Sequence, residues 1–150
     1  MRLMLVCTSG GHFATMKDIE PFWSQHERVW VTDFKQDTSL LIELEESVYW
    51  LSYQGPRDWM RFCLNFPKVL RVLMVERPDM VVSTGANVAV NFALLCKLLG
   101  IRFMYIESIS RSDELSLSGK IIYPLADEFY VQWQNLTSKY PKAIFRGTVT

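Results

Sequence analysis

"CTSGGHFATMK" (residues 7–17) directly follows the apolar run "MRLMLV" (residues 1–6), and its reading decides the fold. The chain leaves its first apolar run through two glycines and a histidine and then meets helix-compatible residues. Gly10 and Gly11 permit positive φ and close backbone approach. A helix beginning there presents free N–H groups, and its dipole favours an anion. One such turn is equally a plain strand-to-helix connection, so the rest of the chain must say which it is.

Working outward, short apolar runs rich in β-branched and aromatic residues recur at 3–7, 28–34, 48–53, 79–83, 102–107 and 128–133. Helix-compatible stretches separate them, near 12–25, 38–46, 58–76, 87–99, 117–126 and 135–140. This alternation predicts parallel βαβ units and a doubly wound, Rossmann-like sheet covered on both faces. "DMVVS" (79–83) has the continuous apolar character of a doubly covered strand. The 150 residues suit a single domain, and no repeat, low-complexity segment or linker interrupts them. Beyond "FRGTVT" (145–150) another strand or a connection is expected.

Hydrophobic residues make up 49% of the chain, which marks a globular protein. Lys+Arg and Asp+Glu both number 16, so no overall charge draws it to nucleic acid. Cys7, Cys63 and Cys96 sit in apolar stretches without paired spacing and read as reduced, buried thiols. The first apolar run ends too soon for a signal peptide, and 88–99 is too short for a span. Any membrane contact is expected to be peripheral.

Ligands of open α/β sheets bind outside the carboxyl ends of the strands. There the sequence collects Thr8, Ser9, Gly10, Gly11 and His12 after the first strand, and Asp33 after the second. "STGAN" (83–87) follows the fourth and "ESISRS" (107–112) the fifth. Thr84, Gly85 and Asn87 form a second glycine turn into a helix, and two such turns at one sheet edge point to a phosphate-rich ligand. Ser9 or Thr8 adds a hydroxyl donor. His12, in the first helical turn, suits base work or phosphate contact, although a lone histidine is often structural. Glu107 reads either as a second candidate base or as a solvated strand end, and Arg111 as a partner for Glu107 or for a phosphate. No P-loop, nucleophile elbow or His/Cys ligand cluster is present, and "SGGHFA" (9–14) does not supply G-x-G-x-x-G. No metal is expected.

"SGGH" after the first strand, "VVSTGAN" and "YIES" resemble the N-terminal half of MurG-type GT-B glycosyltransferases. The block from "ES" through "SGK" and "YPLAD" to "VQW" closely resembles the PssD family. These are bacterial polysaccharide-synthesis proteins related to the membrane-recruiting subunit of the eukaryotic transferase that adds the second N-acetylglucosamine to the dolichol-linked oligosaccharide. The resemblance implies the acceptor-side half of a GT-B enzyme whose two halves are separate proteins. A PssE-type partner would hold most of the donor site, with UDP-sugar as donor substrate and no permanently bound cofactor. The acceptor would be a polyprenyl-pyrophosphate-linked glycan in exopolysaccharide or capsule assembly. It makes Ser9, Gly10, Gly11 and His12 the acceptor loop, Thr84, Gly85 and Asn87 a second loop, and sets Glu107 and Arg111 beside the cleft. His12 is the first choice for base and Glu107 the second. A noncatalytic scaffold that recruits a competent partner to the membrane remains the alternative, and a nucleotide-binding oxidoreductase domain a distant third.

The eukaryotic relatives begin with a membrane-spanning helix; here the first strand comes at once, so peripheral attachment at the cytoplasmic face is expected. "GPRDWMRFCLNFPKVLRVLMVERPD" (55–79) supplies a candidate surface. Trp59, Phe62, Phe66, Val69, Leu70 and Leu73 follow helical spacing and are expected to pack on the sheet. Met60, Leu64 and Val72 fall outside that stripe beside Arg57, Arg61, Lys68 and Arg71. A basic, aromatic helix can lie at an anionic interface, with Trp59 at its edge. Pro67 is expected to kink or split the segment.

Overall fold

All six expected strands form, and a short seventh joins them. The computed structural model describes residues 1–149. The strands are β1 (Arg2–Val6), β2 (Glu27–Thr32), β3 (Val48–Trp50), β4 (Met80–Ser83), β5 (Arg102–Ile106), β6 (Glu128–Val131) and β7 (Ile144–Phe145). They make one sheet in the order β3-β2-β1-β4-β5-β6-β7, with every neighbouring pair parallel. The chain therefore starts in the middle, winds outward to β3, returns past β1 and winds the other way. β1 and β4 lie side by side at this reversal, with Val6 opposite Ser83.

Parallel strands need crossovers, and here those are helical. They are α1 (Gly11–Asp18), α2 (Glu20–Trp23), α3 (Leu40–Glu43), α4 (Trp59–Glu76), α5 (Val88–Leu99), α6 (Leu117–Ile122) and α7 (Leu136–Lys139). Alternation along β1 divides the core. Met4 and Val6 pack with α4, α5 and α6 through Val69, Leu73, Phe92 and Ile122. Leu3, Leu5 and Cys7 pack on the other face with Phe13, Met16, Trp23 and Trp30. The doubly wound expectation holds on both faces.

Several boundaries differ from the sequence reading. The stretch 12–25 is two helices, because Pro21 can donate no N–H and its ring crowds the carbonyl four residues back. α4 runs unbroken for 18 residues through Pro67. Burial of Val69, Val72 and Leu73 on the sheet side holds it together across the missing hydrogen bond. That inward face also departs from the expected stripe: Val72 is buried, while Trp59 and Leu70 are exposed. Cys63 is exposed as well, unlike Cys7 and Cys96. β7 was not legible, since two residues inside "AIFRG" carry no periodicity.

Candidate active site

The reversal of strand order brings the two glycine turns together. α1 starts after β1 and α5 after β4, so their first residues share one edge of the sheet. His12 is half-buried there, with Nδ1 2.8 Å from the Thr84 carbonyl oxygen. A carbonyl can only accept, so Nδ1 carries a hydrogen and the neutral ring keeps its lone pair on Nε2. The contact is reciprocal: the Thr84 hydroxyl donates to the His12 carbonyl at 2.6 Å. Gly85 makes the arrangement possible. Its φ is +122°, and a Cβ there would lie 2.7 Å from two atoms of the imidazole. Ala86, at φ +68°, extends the unusual backbone of this turn.

Beside His12 lies a cavity of about 370 Å³. Arg57, Asn87, Tyr105, Glu107, Arg111 and Ser118 line it together with the His12 ring. Its two guanidiniums, Arg57 and Arg111, have no carboxylate within ion-pair distance among the described residues. Asn87 also ties the cavity wall together, donating from Nδ2 to the Gly55 carbonyl at 3.1 Å.

Glu107 is 1% exposed and fully occupied. It accepts from the Ser108 N–H and the Ser116 N–H, both at 2.9 Å, and from the Ser116 hydroxyl at 2.9 Å. The Tyr105 hydroxyl is 3.4 Å away. Ser116 in turn accepts the Gly119 N–H as the N-cap of α6. Any Cβ at Gly119 would collide with the Glu107 carboxylate. This geometry suits a pin that shapes the 108–116 loop, and with it Arg111, better than a group free to take a proton. Burial, then the charge of Glu107, pushes the Tyr105 phenol well above its usual range.

The first glycine turn does not present all its donors outward. The Ser9 N–H and hydroxyl donate to Asp33 at 2.7 and 2.8 Å, and the Gly10 N–H donates to Asp37 at 2.7 Å. Two carboxylates from the β2–α3 connection thus occupy the positions in which the sequence reading puts an acceptor phosphate for Ser9 and Gly10. Gly10 keeps the role its φ of +87° requires, as the residue before α1. Thr84 and Gly85 hold and house the imidazole, and neither they nor Gly11 line the cavity.

The expected membrane residues separate into two groups. Trp59, Met60, Arg61, Leu64, Lys68 and Arg71 are exposed on α4, Met60 at 73% and Leu64 at 63%. Arg57 precedes the α4 N-cap Asp58 and faces the cavity. The sequence reading missed it there, along with Ser116 and Ser118. The signal available was the "QGPR" turn (54–57), whose Gly and Pro mark a loop that can approach a site. Among the described residues no helix is long and apolar enough to cross a membrane.

Comparison with known proteins agrees with this architecture. The family described as "Oligosaccharide biosynthesis protein Alg14 like" matches residues 59–149. The chain is similar to the mouse (Mus musculus) UDP-N-acetylglucosamine transferase subunit ALG14, 43% identical over 91 residues, or 57% of this chain and 40% of that protein. It thus spans well under two thirds of that relative's length. The Debaryomyces hansenii protein of the same name is 30% identical over an alignment covering 97% of this chain and 75% of that protein. Among solved structures, Acinetobacter baumannii MurG superposes with a TM-score of 0.79 at 15% identity, covering 99% of this chain and 45% of that one. A Staphylococcus aureus MnaA–UDP structure gives 0.75 at 15% identity, covering 96% and 44%. Fold and sequence converge: this chain belongs to the Alg14-like family of oligosaccharide biosynthesis proteins.

Proposed function

We propose that this chain is the acceptor-side subunit of an inverting glycosyltransferase that moves a sugar from a UDP-sugar to a polyprenyl-pyrophosphate-linked acceptor in exopolysaccharide or capsule assembly. The observation that carries the reading is the His12 imidazole, fixed through Nδ1 on Thr84 beside a cavity lined by the guanidiniums of Arg57 and Arg111. Nε2 takes the proton of the acceptor hydroxyl as its oxygen attacks the anomeric carbon. The bond from that carbon to the UDP oxygen breaks, and UDP leaves with the electron pair. Arg111 holds acceptor phosphate, and Glu107 fixes the Arg111 loop. A nucleotide-sugar-binding partner of the PssE type supplies the donor site, in keeping with the word "subunit" in the names of the relatives. The outer face of α4 rests on the cytoplasmic face of the membrane through Trp59, Met60, Leu64, Arg61, Lys68 and Arg71.

That same exposed face favours a second reading, a noncatalytic scaffold that recruits a competent partner. One experiment separates the two. Transfer is measured for the chain alone, for the partner alone and for both together, with wild type and with His12→Ala. The chain alone is expected to be inactive, because positioning two reactants supplies roughly 7–11 kcal/mol of barrier lowering and half the site is elsewhere. In the complex, His12→Ala should lower the rate constant about a hundredfold to ten-thousandfold. A folded variant complex at the wild-type rate constant would leave the scaffold reading standing.

A further inference from the structure

We infer that Arg57 belongs to the ligand-binding cavity and not to the membrane face, and that with Arg111 it grips the two phosphoryl groups of a diphosphate. The inference rests on the acceptor-side reading above and deepens it by naming what holds the acceptor's charge. Its starting point is position. Arg57 comes from the loop between β3 and α4, Arg111 from the loop between β5 and α6, and both line the cavity next to His12. The carboxylate lining the same cavity, Glu107, has its oxygens filled by Ser108 and Ser116 donors. It does not pair with either arginine among the described residues. Two cations from separate loops suit a ligand with two anionic groups. A diphosphate offers each guanidinium its own phosphoryl group to engage in a bidentate pair.

The loop that carries Arg57 is fixed by a buried chain of amides. Asn65 donates to Gln54 at 2.8 Å, Gln54 donates to Asn91 at 3.3 Å, and Asn91 donates to the Phe62 carbonyl at 2.8 Å. Gln54, Asn65 and Asn91 are each 2% exposed or less. Asn87 adds a bond to the Gly55 carbonyl. Such groups are costly to bury unpaired, so the network selects one placement of residues 54–57. Arg57 and Arg61 are both exposed to solvent, but Arg61, one turn into α4, does not line the cavity and faces Asp58 at 3.4 Å.

The test is a binding titration of the full chain with farnesyl diphosphate and with farnesyl monophosphate, beside co-sedimentation with anionic liposomes. Wild type should bind the diphosphate more tightly than the monophosphate. Arg57→Gln and Arg111→Gln should each weaken diphosphate binding about tenfold or more, since each removes a charge-assisted contact. Arg57→Gln should sediment with liposomes as wild type does, and Arg61→Gln should leave diphosphate affinity unchanged. A wild type that binds the diphosphate while Arg57→Gln binds within twofold would overturn the assignment of Arg57 and leave the acceptor-side reading intact. Equal affinity of wild type for monophosphate and diphosphate would overturn the two-group grip. If wild type binds neither compound, the acceptor-side reading fails, and this inference with it.

Discussion

His12 depends on one hydrogen atom elsewhere in the chain. The Gly85 Hα occupies space that a methyl group would take from the imidazole ring. In Gly85→Ala the ring must leave Thr84, and the backbone must hold φ +122° with a side chain. The expected result is a stability loss of about 1–3 kcal/mol from the strain. A fall in transfer comparable to His12→Ala should accompany it, read in the reconstituted complex at a temperature where the variant is folded. A folded Gly85→Ala complex with undiminished rate would show that ring orientation does not matter. The cysteines make a second contrast at this scale. Burial pushes the Cys7 thiol far up and the Cys96 thiol up to about 12, so neither offers thiolate near neutrality. Cys63 sits exposed on α4. Iodoacetamide is expected to modify Cys63 alone in the native protein, which peptide mass spectrometry reads directly. Labelling at Cys7 or Cys96 under native conditions would contradict their burial.

α4 shows how a helix can serve two surfaces. Val69, Val72 and Leu73 cover the sheet, while Met60, Leu64, Met74 and Val75 face outward among Arg61, Lys68 and Arg71. Each basic residue near an anionic surface contributes roughly 1 kcal/mol. Changing Arg61, Lys68 and Arg71 to Gln should therefore release the protein from anionic liposomes. Liposomes should also slow alkylation of Cys63 in wild type but not in the triple variant. Undiminished sedimentation of the folded triple variant would move the membrane surface elsewhere. Pro67 sits in the exposed part of this helix and leaves the Cys63 carbonyl without its helical donor. Proline costs about 3 kcal/mol relative to alanine in a helix interior, offset by up to about 1 kcal/mol through the unfolded chain. Pro67→Ala should raise stability by about 1–3 kcal/mol in urea unfolding. A decrease would mean that α4 needs the proline's shape.

At the scale of the molecule, a three-residue tie crosses the sheet edge. Glu76, in the last turn of α4, accepts from the Tyr49 hydroxyl of β3 at 2.6 Å and pairs with Arg2 of β1. The Tyr49 hydrogen bond first, and Arg2 second, hold the Glu76 carboxyl below the ordinary range. A carboxyl lowered on folding contributes stability above its unfolded value, about 4.5, and loses it as the pH falls through the folded value. Wild type should accordingly exceed Glu76→Gln in stability at pH 7, with the gap closing as the pH drops below about 4.5. Glu76 is only half-buried, so solvent screening keeps the gap small. Urea midpoints for both proteins across this range provide the check, and a gap independent of pH would remove the linkage.

Strand positions, parallel winding and the sheet edge at which the candidate residues gather were legible in the sequence, because apolar runs and glycine turns are local signals of a parallel sheet. "SGGH" and "STGAN" could be matched to turns for the same reason: a backbone conformation leaves its mark within a few residues. What each turn does was decided only in three dimensions. Asp33 and Asp37 fill the donors of Ser9 and Gly10 across 24 and 27 residues of chain, and Thr84 fixes His12 across 72. Val72 replaces Leu70 at the core because the seat of α4 on the sheet, not helical spacing alone, sets which side faces in. Arg57 looks like its basic neighbours in sequence, and it differs from them because the Gln54–Asn65–Asn91 chain, made by residues far apart, holds its loop at the cavity. Periodicity records which way a segment can face; long-range hydrogen bonds and close contacts determine what it meets there.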